Sequence, residues 1–212
     1  MTIGKPMPDI EYFYAAHSAY AYLGSAHFMS VAQASGRRIR HKPFDLRRSV
    51  VGVGSPEMRT RPSNHRNYFF GREMQRWAEH REIPMLAWPT HHANDITLSN
   101  CMLIATERAG ANIDALAHSI LTTHGVEDCD LADAQTLVRL ADQVSLDGAA
   151  LVQAATTDAV LQQYAANTRE AIERSVFGSP TYFVDGDMFY GQDRLEMVER
   201  ALTQPYHGTW PK

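Results

Sequence analysis

The sequence predicts an α/β fold in which strands from both ends of the chain share one sheet around a long helical insertion. Three observations carry this reading. Near the start, Asp9–Tyr14 (DIEYFY) is short, aromatic and preceded by Pro6 and Pro8, the composition of a half-buried strand. Near the end, Thr181–Val184 (TYFV) and Asp187–Tyr190 (DMFY) flank Asp185-Gly186, a strong two-residue hairpin signal. Between them, from about residue 64 to residue 174, the apolar residues recur mostly at helical spacing.

Taken in order, the first strand is broken by the small and polar residues Ala15–Ala19. Tyr20–Ala34 then reads as a helix, with Gly36 where a helix would stop. Arg37–Phe44 reads as a second strand with Pro43 at its end. Val50–Pro56 (VVGVGSP) is Gly-rich and reads as loop. Asn64–Arg81 reads as one helix, and Ile83–Pro89 as a connector. Further helices are expected over Thr97–Ala109, Ile113–Thr123, Asp133–Gln143, Gly148–Ala154 and Asp158–Arg174, with Asp158 as an N-cap. Gly178-Ser179-Pro180 is a turn signal. After the hairpin, Gly191-Gln192-Asp193 opens a last helix over Arg194–Leu202. The order is β-α-β, several helices, then β-β-α, as in thioredoxin-like domains. Residues 1–45 and 176–212 are expected to form that domain, with 46–175 as an all-helical insertion domain.

The chain has 212 residues, enough for a core without staples. Lys and Arg number 20 against 24 Asp and Glu, a net charge of −4, which argues against general nucleic-acid binding. Cys101 and Cys129 form no metal or redox motif and read as packing residues in a reducing cytosol. Met1–Pro8 lacks the apolar core of a signal peptide, and no run approaches the roughly 18 apolar residues of a membrane span. The expectation is a cytoplasmic protein with no membrane or nucleic-acid partner.

Two segments carry a family resemblance. Ile10–Leu23 (IEYFYAAHSAYAYL) resembles the opening of the 2-hydroxychromene-2-carboxylate isomerases and kappa-class glutathione transferases. There an aromatic strand is followed by Ser-Pro-aromatic-x-aromatic-Leu entering a helix. Val176–Leu195 (VFGSPTYFVDGDMFYGQDRL) resembles their closing motif: Phe-Gly-x-Pro-Thr-Phe, a hairpin, then aromatic-Gly-Gln/Asn-Asp-Arg. Arg66, Glu73, Arg76 and Trp77 match the family's intervening helix. The resemblance implies an α/β, thioredoxin-like fold with an inserted all-helical domain, related to the disulfide oxidoreductase DsbA. It also implies glutathione as cofactor, a small-molecule substrate and a homodimer.

The chemistry of such a site is coherent. The amino end of the first helix has unpaired N–H groups and a positive dipole, so a sulfur held there is favoured as thiolate. DsbA-like oxidoreductases place cysteine at that point; here the matching residue is Ser18, and Ala21 stands where the second cysteine would be. By resemblance, Ser18 is the catalytic residue that stabilises the thiolate of bound glutathione. Ser179, beside a cis Pro180, exposes its backbone to the cysteinyl unit. Gln192 and Asp193 hold the γ-glutamyl end, and Arg66 binds the glycine carboxylate. Tyr20 and Phe44 are candidate substrate walls. The chain departs from the family at Ala19 (proline there), Ala15 (often an acid) and His17 (commonly apolar). His17 reads either as a packed histidine or as a group that tunes the thiol or carries a proton. His91-His92 has no companions for a metal site, so no metal is expected.

The activity this implies is a glutathione-dependent isomerisation of an unsaturated, aromatic-derived acid by reversible thiolate addition. One alternative is a kappa-like transferase that releases a stable conjugate. Another is a non-catalytic DsbA-like binding or chaperone module. Thiol oxidoreduction at this site is disfavoured, since Ser18-Ala19-Tyr20-Ala21 has no cysteine.

Overall fold

The computed structural model of the chain describes residues 7–208 and 210. The reading of Met1–Pro8 falls mainly on residues 1–6, outside the described residues.

Strand β1 (Ile10–Tyr14) lies inside a four-stranded sheet of order β2-β1-β3-β4. It pairs in parallel with β2 (Ile39–Pro43), Ile10 facing Ile39 and Tyr14 facing Pro43. On its other side it runs antiparallel to β3 (Thr181–Val184), Tyr12 facing Tyr182. The hairpin to β4 (Asp187–Tyr190) turns at Asp185 and Gly186, with φ 51° and 92°, the positive angles that a tight primed turn requires. Pro43 is tolerated because β2 is an edge strand and Pro43 its last residue. The crossover from β1 to β2 is helix α1 (Ala19–Ser35), which stops at Gly36 in the left-handed region.

Successive residues of β1 serve opposite faces of the sheet. Tyr12 and Tyr14 stack at 4.2 Å and join Tyr182, Phe28 and the apolar faces of the helices in one large buried cluster. Phe13 points the other way, into a smaller cluster with Phe44, Ala171, Val176 and Phe183. Burying each of these phenylalanines contributes about 1.5–3 kcal/mol. Phe44 is fully buried there, which corrects its assignment as a substrate wall: the residue ending the second strand turns inward to complete a core. Above the small cluster, Lys42 Nζ meets Glu11 at 2.6 Å and Glu170 at 2.5 Å, and Arg174 pairs with both acids at 2.8 Å.

The remaining helices are α2 (Leu46–Gly52), α3 (Ser63–Asn67), α4 (Met74–His80), α5 (Thr97–Arg108), α6 (Ile113–Glu127), α7 (Ala134–Gln143), α8 (Gly148–Ala155), α9 (Asp158–Glu173) and α10 (Leu195–Thr203). α5 packs against β2, α6, α8 and α9. No helix of the described residues is long and apolar enough to cross a membrane.

Three expectations change. The loop expected from Val50 begins inside α2, because Asp45 caps that helix by accepting from the Arg48 N–H and so outweighs the downstream glycines. Asn64–Arg81 is not one regular helix: Tyr68–Glu73 is π-helical, between α3 and α4. The N-cap of α9 is Thr157, with Asp158 in the first turn, where its charge still suits the helix dipole.

Candidate active site

The turn after β1 is held from two sides. Ser179 Oγ accepts from the Ala15 N–H at 3.1 Å, and Asn100 Oδ1, from α5, accepts from the Ala16 N–H at 3.0 Å. These bonds deliver Ser18 to the start of α1 as its N-cap. Ser18 Oγ accepts from the Ala21 N–H at 3.2 Å and donates to the Ser179 carbonyl at 3.1 Å. The Ser179–Pro180 peptide bond is cis. Ser18 and Ser179 are both buried. The first turn of α1 carries no acid, so nothing there offsets the positive helix end.

Gln192 and Asp193 lie in a short 3-10 turn, Gln192–Arg194, ahead of α10. Gln192 is buried against α1: a Cβ added at Gly24 would stand 2.7 Å from Gln192 Cβ. Arg81, just past α4, grips Gln192 Oε1 from Nη2 at 2.5 Å and Nε at 3.0 Å. Because an arginine only donates, the amide oxygen is occupied, and the Gln192 NH₂ makes no hydrogen bond among the described residues. Asp193 is exposed and pairs with its neighbour Arg194.

Tyr20 donates its hydroxyl to the Phe69 carbonyl in the π-helical stretch at 2.6 Å. Burial, then the nearby Glu73, Tyr190 and Asp193, push the Tyr20 hydroxyl well above its ordinary pKa, so it stays a donor at neutral pH. Arg66 Nη1 is committed to the Arg59 carbonyl at 2.9 Å. No hydrogen bond or ion pair among the described residues joins Arg66 to Ser18, Ser179, Gln192 or Asp193. Arg61 is close enough to Tyr190 to oppose the upward pull of burial and Asp193 on that hydroxyl.

Ser18, Ser179 and Pro180 therefore converge, while Gln192 and Asp193 sit against the same helix. Sequence reasoning missed Arg81 and Asn100, whose partners are 111 and 84 positions away, a separation no local pattern reports. His17 is buried beside Ser18, and its Nδ1 has no hydrogen-bond partner. Burial, followed by His92, His124 and Arg47, holds its pKa well below the ordinary value. Cys101 is a buried free thiol, pushed by burial to a pKa of about 11 and inert as a nucleophile at neutral pH.

Comparison with known proteins identifies the fold and the family. The model of the DSBA-like thioredoxin domain family matches residues 9–203. A 2-hydroxychromene-2-carboxylate isomerase of Pseudomonas putida is 29% identical over 195 residues, covering 91% of this chain and 93% of its own. One of Pseudomonas sp. (strain C18) is 28% identical over 193 residues, covering 91% and 89%. The solved structure of a 2-hydroxychromene-2-carboxylate isomerase superposes with a TM-score of 0.74 at 25% identity, over 92% of this chain and 94% of that one. The cytosolic disulfide reductase DsbM of Pseudomonas aeruginosa, solved with GSH, shares the fold with a TM-score of 0.63 at 18% identity, over 93% and 94%.

Proposed function

The chain belongs to the DSBA-like thioredoxin domain family, and from that premise we propose that it is a glutathione-dependent isomerase acting on a 2-hydroxychromene-2-carboxylate or a close analogue. The observation that carries the reading is the Ser18–Ser179 contact at the open end of α1. The polar groups fit a thiol tripeptide: a serine hydroxyl at a positive helix end, a backbone carbonyl beside it, and an amide whose oxygen is held by Arg81.

When bound, glutathione supplies a thiolate that adds reversibly to an unsaturated carbon and frees that bond to rotate or open. The chain's own residues prepare it. Ser18 turns its hydroxyl hydrogen from the Ser179 carbonyl to the sulfur, and the helix dipole favours the charge. The released Ser179 carbonyl can then accept from a backbone N–H of the tripeptide. Gln192 offers its NH₂ to a carboxylate, and Asp193 can exchange Arg194 for an ammonium. Arg66, or Arg61 on the same segment, provides a cation for the second carboxylate. Tyr20 stands beside Asp193 as a hydroxyl-bearing wall. Residues 46–175 as a separate insertion domain, a homodimer and a cytoplasmic place belong to the same reading.

The test is turnover of 2-hydroxychromene-2-carboxylate with glutathione assayed before and after. An isomerase converts many equivalents of substrate and leaves glutathione unchanged. Stoichiometric loss of glutathione would establish the transferase instead, and a folded protein that binds no glutathione would rule out both.

A second test addresses the turn that carries Gln192. In Gly24→Ala the new methyl meets Gln192 Cβ, which has no flexible end to move aside. The turn must shift from α1, and glutathione affinity measured by calorimetry is expected to fall about tenfold.

A further inference from the structure

Opening a cyclic 2-hydroxychromene breaks the bond between the hydroxyl-bearing carbon and the ring oxygen. The hydroxyl loses a proton as it becomes a carbonyl, and the ring oxygen gains one. Ser18 is committed to the sulfur, so a further acid–base group beside it would speed this exchange.

Three histidines from separate parts of the chain stand in a row beside Ser18. The His17 ring packs on His92 with centroids 4.6 Å apart. His92 Nδ1 lies 3.4 Å from His124 Nε2, and His124 Nδ1 lies 3.0 Å from the Cys129 carbonyl oxygen. These contacts assign the hydrogens. A carbonyl only accepts, so His124 Nδ1 carries the hydrogen. In a neutral ring its Nε2 is then a lone pair, and His92 Nδ1 must donate to it. His92 Nε2 is left as a lone pair with no hydrogen-bond partner among the described residues. His17 and His124 are buried, but His92 is partly exposed, so a ligand can reach the middle member of the row.

Resting on the isomerase function proposed above, we propose that His92 is the acid–base residue of the reaction and that His124 is the positioning residue that takes over its proton. His92 Nε2 accepts the substrate hydroxyl proton as the carbon–oxygen bond breaks. The hydrogen on His92 Nδ1 passes to His124 Nε2, leaving His124 as the imidazolium and His92 neutral. The path then reverses: the hydrogen returns to His92 Nδ1, and Nε2–H protonates the ring oxygen. One proton leaves the substrate and one returns, and no further reactant is needed.

The charges around the row favour this direction. Burial, then His124 and the nearby Arg47, hold His92 to a pKa of about 4, neutral at pH 7. Burial, with a smaller push from His91, also lowers His124. Its contact with the Cys129 carbonyl and the nearby Asp128 and Asp130 act the other way. His124 also lies in the last turn of α6, where the dipole favours a cation. A proton taken up at His92 is therefore drawn toward His124. The 3.4 Å separation is long for a hydrogen bond, as catalytic contacts often are before substrate binds.

The experiment has two readouts. Long-range nitrogen–proton NMR of histidine-labelled protein at pH 7 should show His92 and His124 both neutral, with the hydrogen on Nδ1. His92→Ala should lower kcat about 100-fold, keep glutathione affinity within about twofold by calorimetry on the same sample, and regain part of its rate with added imidazole. His92→Gln, which can donate but cannot shuttle a proton, should show the same loss. Hydrogen on His92 Nε2, or a kcat within about threefold of wild type in either variant, would overturn the relay alone. Absence of turnover by the wild-type protein would overturn the isomerase reading and the relay with it.

Discussion

Replacing Ser18 with alanine is expected to return the thiol of bound glutathione toward its free pKa and to lower kcat by about 100-fold, the cost of losing one hydrogen-bond donor to a developing or resting anion. Ser18 Oγ is buried and sits between the Ala21 N–H and the Ser179 carbonyl. The same change removes the N-cap of α1, worth about 1 kcal/mol, and should lower Tm by about 2–4 °C. The two effects separate in Ser18→Thr, which keeps a hydroxyl at the cap and should keep most of the thiolate absorbance. If Ser18→Ala retains the lowered thiol pKa, the helix end alone activates the sulfur.

The largest effect on stability is expected at Lys42. Its side chain is 7% exposed and binds Glu11 and Glu170, while Arg174 braces both acids and lies 3.6 Å above the Phe183 ring. Lys42→Met keeps the stem and removes the charge, leaving two carboxylates close together over the small core. Breaking such a pair costs about 2–3 kcal/mol where one side is open to water, so Tm should fall roughly 5–10 °C. The pH dependence comes from Glu11. Burial raises its pKa, but Lys42 and Arg174 outweigh burial and the net value is lowered. An acid held below its unfolded value of about 4.3 stabilises the fold above that pH. This contribution is lost as pH falls through the folded value. Wild type should therefore lose stability on acidification more steeply than Lys42→Met, which thermal scans between neutral and acid pH would show.

Some elements are legible in the sequence because their causes are local. The aromatic run Tyr12–Tyr14, the Asp185-Gly186 turn and the Gly36 stop each act within a few residues, and the structure bears out the strands, the hairpin and the end of α1. Misreadings arise where a local signal meets a competing one. The Gly52 and Gly54 pattern suggests loop, but the Asp45 cap starts a helix upstream. The helical spacing of residues 64–81 is real, yet it cannot show the π-helical turn at Tyr68–Glu73 whose Phe69 carbonyl takes the Tyr20 hydroxyl. Phe44 reads as a candidate wall because it is an aromatic near the motif, and only the packing of α9 over the sheet shows it closed.

The site divides in the same way. Residue order alone establishes that a serine, not a cysteine, stands at the start of the first helix. It also determined that a Ser-Pro turn and a Gln-Asp pair lie near the other end, since these are statements about residue order. The tertiary structure alone decided which of them meet. Ser18 and Ser179 touch across 161 positions, Arg81 and Gln192 across 111, and His92 and His124 across 32. Hydrogen bonds and charges act over a few ångströms of space whatever the distance along the chain. The direction of the Gln192 amide and the hydrogen positions on the histidine row therefore exist only once the sheet and helices have brought their partners together.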